Sequence, residues 1–470
     1  MPFNSFLDYP MSWKPEREQL KRPIYLSLAE QLEKDIAGGF LSPGTKLPPQ
    51  RELADFLDIN FTTVTRAYRL CELKGLIYAV IGSGTFVSPS AAKSVTISSD
   101  NLPRESIDMG FVDSFESCNE MIVDTLRAVS RKRQAAKLLD YNFPTGMPHH
   151  KAAGVNWLKN VGVSTDTEHI AIVSGTQNGL TLALPALFEP GNRIAVDTYT
   201  FANFIELAKM YHIQLVPVAG DAEGMRAEEL EAQHRLKPLH GVFLVPSCGN
   251  PTTVVTSDRR KKELAAVMEK YGLILIEDDI HAFFTSGEIT DYRGPMARFL
   301  PEQSVYISGT SKAICSGLRI AYMVYPERFR EKILKAILNM NVKTSSLDAE
   351  IISELIFSGK ANEIVEKKRL LAEEMNELFF QYFPEQRRRG HPLSFYRWLP
   401  IADRRGGSEI EQEFQDAGIR VYHSDRFLSG PRENQSYLRV ALSTAGSAQR
   451  LQRGLEILAE TLDEDGFRRR

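Results

Sequence analysis

The chain is poor in everything that would staple or anchor it. Its four cysteines, Cys71, Cys118, Cys248 and Cys315, stand far apart with no CxxC or Cys/His spacing. Neither a disulfide framework nor a metal site is expected from them. No run of 18 apolar residues occurs, and the first ten residues lead into Trp13 and Lys14 without a basic segment followed by an apolar one. A membrane span and a secretion signal are therefore not expected, and a reducing cytoplasm is the expected compartment. Excess charge is missing too: 57 Lys+Arg against 60 Asp+Glu leave a net charge of -3. Over residues 1–90 ten basic residues are matched by ten acidic ones. A globally basic nucleic-acid binder is excluded, so any DNA contact has to come from a local patch. No fixed-period repeat is present.

What is present is an ordinary globular composition, 43% hydrophobic and 25% charged, on a chain too long for one compact core. A stretch bounded by Pro89 and Pro103, poor in large apolar residues, separates two rhythms. Residues 1–88 and 106–470 are the expected domains and 89–105 the linker, with a smaller C-terminal lobe from about 340. Beyond the linker, short apolar segments at 171–173, 194–196, 242–245, 273–276 and 305–307 read as strands. Leu264, Val267, Met268 and Tyr271 fall at i, i+3, i+4, i+7, a helix covering them. This alternation is that of an α/β domain with a mostly parallel sheet.

In the first domain Ile24, Leu28, Leu32 and Ile36 recur every four residues and stop at Gly38-Gly39, giving one helix. A second, 51–57, packs through Leu53, Ala54 and Leu57. A third begins near Thr62, whose hydroxyl is expected to cap it, and buries Val64, Ala67, Tyr68 and Cys71. Its other face carries Thr63, Thr65, Arg66 and Arg69, short donors and guanidinium groups of the kind that reach base edges and phosphates. Two strands flanking Gly82-Ser83-Gly84 complete a winged helix-turn-helix. By spacing alone, a protein-interaction domain with a solvated polar face fits equally well. The segments LPPQRELADFL, TTVTRAYRLCELKGLI and GSGTFV, however, resemble the GntR-type winged helix across most of residues 20–88. The resemblance implies binding to a double-stranded operator, with Arg51, Thr62, Thr63, Arg66 and Gly84 at DNA-contact positions.

In the second domain polar residues sit where strands end. The segment at 171–173 runs into Ser174, Gly175, Thr176 and Gln177 and then a helix, whose first amides and the Thr176 hydroxyl would cradle a phosphate. Asn250 lies in PSCGNPT, Asp278 follows an apolar strand, and Lys312 stands in TSK ahead of Gly317-Leu318-Arg319. Singly, each is an ordinary turn, helix cap or surface charge. In this order they resemble class I aminotransferases of PLP fold type I, which implies the cofactor pyridoxal 5'-phosphate. The resemblance makes Lys312 the Schiff-base lysine, Asp278 the partner of the pyridine nitrogen and Asn250 that of the phenolic oxygen. Gly175, Thr176, Gln177, Ser311 and Arg319 would surround the phosphate. Arg439, in Tyr437-Leu438-Arg439-Val440, would clamp a substrate carboxylate. Phe201 would stack on the ring, with Tyr199 the alternative register, and Tyr141 would reach the phosphate of a partner subunit, which implies a homodimer.

Four positions depart from that pattern. His281 stands where relatives have a tyrosine beside the cofactor, Gly309 replaces a common serine, and His150-Lys151 replaces a usual Leu-Arg. Cofactor binding is still expected with these changes, but at most weak transamination. The order of the two domains resembles the MocR subgroup of GntR-type regulators. It implies a transcription regulator sensing a small amino compound or the cofactor itself; the alternative is an active aminotransferase with an added DNA-binding module. The sequence names neither effector nor operator, nor the sign of regulation.

Overall fold

The computed structural model describes residues 11–80, 82–88, 91, 95–98, 106–285, 292–402 and 405–464. The first domain consists of α1 (Ile24–Ala37), α2 (Gln50–Leu57), α3 (Phe61–Leu73), β1 (Ile77–Val80) and β2 (Gly84–Val87). The four-residue recurrence is the buried stripe of α1: Leu28, Leu32 and Ile36 face inward, while Ile24 is only half-buried. They meet Leu53, Ala54 and Leu57 of α2 and Val64, Ala67, Tyr68 and Cys71 of α3. Each buried leucine or isoleucine contributes roughly 2 kcal/mol. Trp13 joins this core and its indole Nε1 donates to Asp35 at 2.7 Å. β1 and β2 pair antiparallel from Ile77↔Val87 to Val80↔Gly84, and Lys46 bridges to Phe86 on the outer side of the wing.

One expectation fails at the start of α3. The cap is Asn60, whose Oδ1 accepts from the Thr62 amide at 2.8 Å and from the Thr62 hydroxyl at 2.7 Å. Thr62 lies inside the helix, because the Asn60 carbonyl oxygen of the side chain reaches the free amide first.

The linker is partly outside the described residues, but 95–98 are not a free coil. The amides of Val95 and Ile97 donate to Glu206 Oε1 at 3.2 Å and Asn203 Oδ1 at 2.8 Å. Both side chains are buried with Ala202, Ile205, Tyr422 and Phe427.

The second domain is built on a seven-stranded sheet. Its spatial order is Ile170–Val173, Ala321–Val324, Ser304–Gly309, Ile274–Asp278, Gly241–Leu244, Arg193–Asp197, Gln214–Val218. Only Ala321–Val324 runs against its neighbours; the other pairings are parallel. The inner parallel strands are buried on both faces over most of their length, which is why they read as unbroken apolar runs, while the edge strand Gln214–Val218 is mostly half-buried. Their C-terminal ends lie at one edge of the sheet, where open α/β sheets bind ligands. Across that edge lies a smaller lobe with a three-stranded antiparallel sheet, Tyr396–Ile401, Ser436–Ala441 and Tyr422–His423. Ile107–Asp108 pairs parallel with Ile419–Arg420, so the first residues of the domain also belong to this lobe.

Candidate cofactor and DNA-binding sites

At the edge of the sheet, Gly175 turns the chain from Ile170–Val173 into the Thr176–Leu187 helix. Its φ of +84° is a left-handed conformation that suits glycine, and a Cβ there would meet Arg319 Nη2 at 2.4 Å. Glycine is therefore required twice, for the turn and for the approach of the guanidinium. Arg319 Nη1 donates to Ser311 Oγ at 3.0 Å, which gathers Gly175, Ser311, Arg319 and the helix start into one cradle. The Gly309 departure has a physical reason: a Cβ at 309 would lie 2.3 Å from Thr176 Oγ1. The threonine hydroxyl occupies the space a serine would need. Gln177 is half-buried in the first turn of the helix.

Asp278 ends the Ile274–Asp278 strand, buried, with Oδ1 lacking a hydrogen-bond partner. Burial, reinforced by the neighbouring Asp279 carboxylate, pushes its carboxyl up to about 7. Such a carboxyl ionises readily once a cation faces it, as a protonated pyridine nitrogen would. Thr176 Oγ1 is a second buried polar atom without a partner. Two orphaned groups, one suited to a ring nitrogen and one to a phosphate, fit the residues to pyridoxal 5'-phosphate. His281 is buried and pushed down to about 3 by burial, with Lys312 adding to the effect, so its imidazole is neutral.

Lys312 lies in the short Thr310–Ala313 helix, and its Nζ donates to the Val112 carbonyl. Burial lowers it to about 8; Asp113 opposes the shift and Lys368, Arg439 and Arg319 add to it. Lys368 is itself buried and donates to the carbonyls of Lys312 at 3.0 Å and Ile314 at 2.9 Å, fixing the backbone of that helix. Arg439 lies on the central strand of the small lobe, only 2% exposed. Its Nη1 donates to Asn250 Oδ1 at 3.0 Å and its Nη2 to the Gly110 carbonyl at 2.6 Å, while Nε has no partner. The rings of Phe427, Tyr422 and Tyr396 surround its guanidinium carbon Cζ at 4.7, 5.6 and 5.7 Å.

The structure thus brings Asn250 and Arg439 together and separates the two aromatic alternatives. Tyr199 turns to the small lobe, where its ring packs against Trp398 and Tyr437 and its hydroxyl donates to the Gln435 carbonyl at 3.2 Å. Phe201 caps the Ala202–Met210 helix and is half-buried. Tyr141 is 84% exposed. Missing from the sequence-based set were the Gly110 and Val112 carbonyls and Lys368. Backbone acceptors have no residue signature, and Lys368 reads as one more charge on a long helix.

On the first domain, Arg51, Thr62, Arg66 and the Gly82–Gly84 tip are exposed, while Thr63 and Thr65 are half-buried. Arg66 stacks its guanidinium 4.0 Å over the Tyr25 ring, which orients it, and Arg51 lies 5.8 Å over Phe61. Thr65 spends its hydroxyl on Gln50 Oε1 and the Phe61 carbonyl. The C-terminal end of α3 rests on the second domain. His212 Nδ1 is 3.0 Å from the Leu73 carbonyl, and a Cβ on Gly75 would meet Lys209 Cγ at 2.8 Å. Among the described residues no helix is long and apolar enough to cross a membrane.

Residues 115–458 match the aminotransferase class I and II family, and residues 24–87 match the bacterial regulatory proteins of the gntR family. An uncharacterised HTH-type transcriptional regulator of Bacillus subtilis, YdeF, is 34% identical over 464 residues, 99% of this chain and 100% of its own. YdcR of Escherichia coli, also an uncharacterised HTH-type transcriptional regulator, is 25% identical and covers 86% of this chain and 92% of its own. A kynurenine aminotransferase of Pyrococcus horikoshii superposes with a TM-score of 0.69 at 22% identity, over 77% of this chain and 91% of its own. That likeness shows the fold. The chain belongs to the MocR subgroup of gntR-type regulators, a winged helix joined to an aminotransferase domain of PLP fold type I whose cofactor is pyridoxal 5'-phosphate.

Proposed function

We propose that this regulator binds operator DNA through α3 and the wing, and that its second domain senses a small compound carrying an amine and a carboxylate. The observation that carries the reading is Arg439. A buried arginine bonded to Asn250 within the lysine site, with Nε unpaired, is a costly arrangement that a ligand carboxylate would repay. Lys312 would hold the cofactor, Asp278 its ring nitrogen, Asn250 and His281 the side of its phenolic oxygen. Gly175, Thr176, Gln177, Ser311 and Arg319 would hold its phosphate, and Phe201 its ring face. When bound, the cofactor supplies an electrophilic carbon and an electron-withdrawing ring for amine chemistry.

The route to DNA runs along the Ala202–Met210 helix. Phe201 begins it, Asn203 and Glu206 on its side hold the linker, and Lys209 and His212 at its end meet α3. A ligand that draws the small lobe onto the sheet would displace this helix and shift the winged helix. The assembly is a homodimer, in which Tyr141 of each subunit serves the other's phosphate and two recognition helices face paired half-sites.

The test uses DNA selected by the wild-type protein from a random pool, at fixed salt, with and without a panel of amino acids and amines. Arg66→Ala is expected to abolish binding and keep the cofactor; Lys312→Ala is expected to bind DNA and lose the ligand response. Equal DNA affinity with and without every compound would overturn the sensing mechanism. The intact Lys312, Asp278, Asn250 and Arg439 set favours a second reading, a working aminotransferase. A kcat on the order of 10 per second with any amino-acid and keto-acid pair would support it instead.

A further inference from the structure

Away from the cofactor site, two packed helices bring together donors 200 and 201 residues apart in sequence. Pro148–Lys159 has His149 and His150 in its first turn, and Ser346–Phe357 carries Glu350. His149 Nε2 and His150 Nε2 lie 2.6 and 2.7 Å from the same oxygen, Glu350 Oε2. The three donor atoms lie within 4.8 Å of one another. Glu350's other oxygen, Oε1, accepts from Lys132 Nζ at 2.6 Å, and Lys132 is also paired with Glu354 at 2.5 Å. The lysine therefore orients the carboxylate with Oε2 toward the imidazoles, as groups behind a metal ligand commonly do.

We propose that His149, His150 and Glu350 bind a late first-row divalent cation of the zinc class, pinning the two helices together. Two imidazole nitrogens and one carboxylate oxygen are the donor set such ions take, with water completing four-coordination. At metal–ligand distances of about 2.0–2.1 Å, tetrahedral donors stand about 3.3 Å apart. The two short contacts to Oε2 need to open by only about 0.7 Å, which side-chain rotation provides. His150 is fully buried and Glu350 nearly so, whereas the His149 side chain is 50% exposed. The site is thus shaped by the core and open to solvent at one ligand. The site contains no cysteine, so cysteine spacing could not reveal it, and its carboxylate comes from a helix 200 positions away.

A plain hydrogen-bonded trio is the competing account, and titration separates the two. Full-length protein stripped with chelator and reloaded with cofactor is titrated with Zn²⁺ by calorimetry, and its thermal unfolding is followed with and without the ion. Wild type is expected to take one ion per chain and to unfold at higher temperature when loaded. His149→Ala, at a half-exposed position, is expected to weaken binding roughly tenfold or more and to lose the thermal shift. His150→Leu, of similar volume, should behave alike. No saturable binding of one ion per chain, or the same affinity in His149→Ala as in wild type, overturns the site. Cofactor content and DNA binding are followed in parallel, so a failure here is distinguishable from a failure of the regulatory reading.

Discussion

Lys312 shows how one side chain is tuned by its surroundings. Burial favours its neutral form and sets it at about 8, against the pull of Asp113. The neutral amine is the nucleophile, so the reactive fraction rises as pH climbs through that value and then levels off. The rate of cofactor attachment to stripped protein, followed by absorbance from pH 6 to 10, is expected to inflect near 8. An inflection near that of a solvated lysine, about 10.4, would contradict the burial argument. At this scale the candidate side chains were legible and the structure gathers them: Lys312, Asp278, Asn250 and Arg439 all lie at the C-terminal edge of the sheet or across from it. It was silent where the partner is backbone. Gly110 and Val112 enter through their carbonyls, from a segment 329 and 200 positions away from the residues they meet. Gly309 was legible as a departure, but its cause, the Thr176 hydroxyl in the same space, needed coordinates.

Among elements, α3 is the one whose ends matter most. Asn60 satisfies an amide at its start, and Leu73 and Gly75 at its end touch the other domain. Asn60→Ala is expected to cost about 1 kcal/mol in the stability of the winged helix. Hydrogen exchange at α3 amides in the full-length protein should rise accordingly while cofactor content stays constant; unchanged exchange would mean that the cap contributes nothing. The four-residue recurrences located α1 and α3 because burial on one face is periodic. The cap was misassigned by two residues, since Asn60 and Thr62 both carry capping groups and only backbone conformation chooses between them. Within the linker, the buried pair at 95 and 97 was not legible for a different reason. Val95 and Ile97, two apart and on one side of an extended segment, were a short alternation lost within a stretch otherwise poor in large apolar residues.

For the molecule as a whole, the exposed apolar side chains are unevenly placed. Leu139, Tyr141 and Phe143 are exposed in one segment and Met340 and Val342 in another. Lys343 joins the two segments through the Asp140 carbonyl at 2.5 Å. This patch is where the proposed homodimer would associate. Sedimentation is expected to give two chains per particle, and Tyr141→Ala to leave that state intact while weakening cofactor binding roughly tenfold, the loss of one hydrogen bond to a charged group. Undiminished cofactor affinity in that variant would remove Tyr141 from the site. A last consequence follows from the Ala202–Met210 helix, which spans nine residues and hence about 13 Å. Because Phe201 stands at one end, with Lys209 at the other and His212 just beyond it, the helix on the proposed route would keep phase between ligand and DNA as a shaft keeps two gears in step. One alanine inserted after Leu207 would rotate the far end by about 100° and advance it by about 1.5 Å, leaving Phe201, Asn203 and Glu206 where they are. Such a protein should still hold its cofactor and still bind DNA, yet no longer let either event be felt by the other.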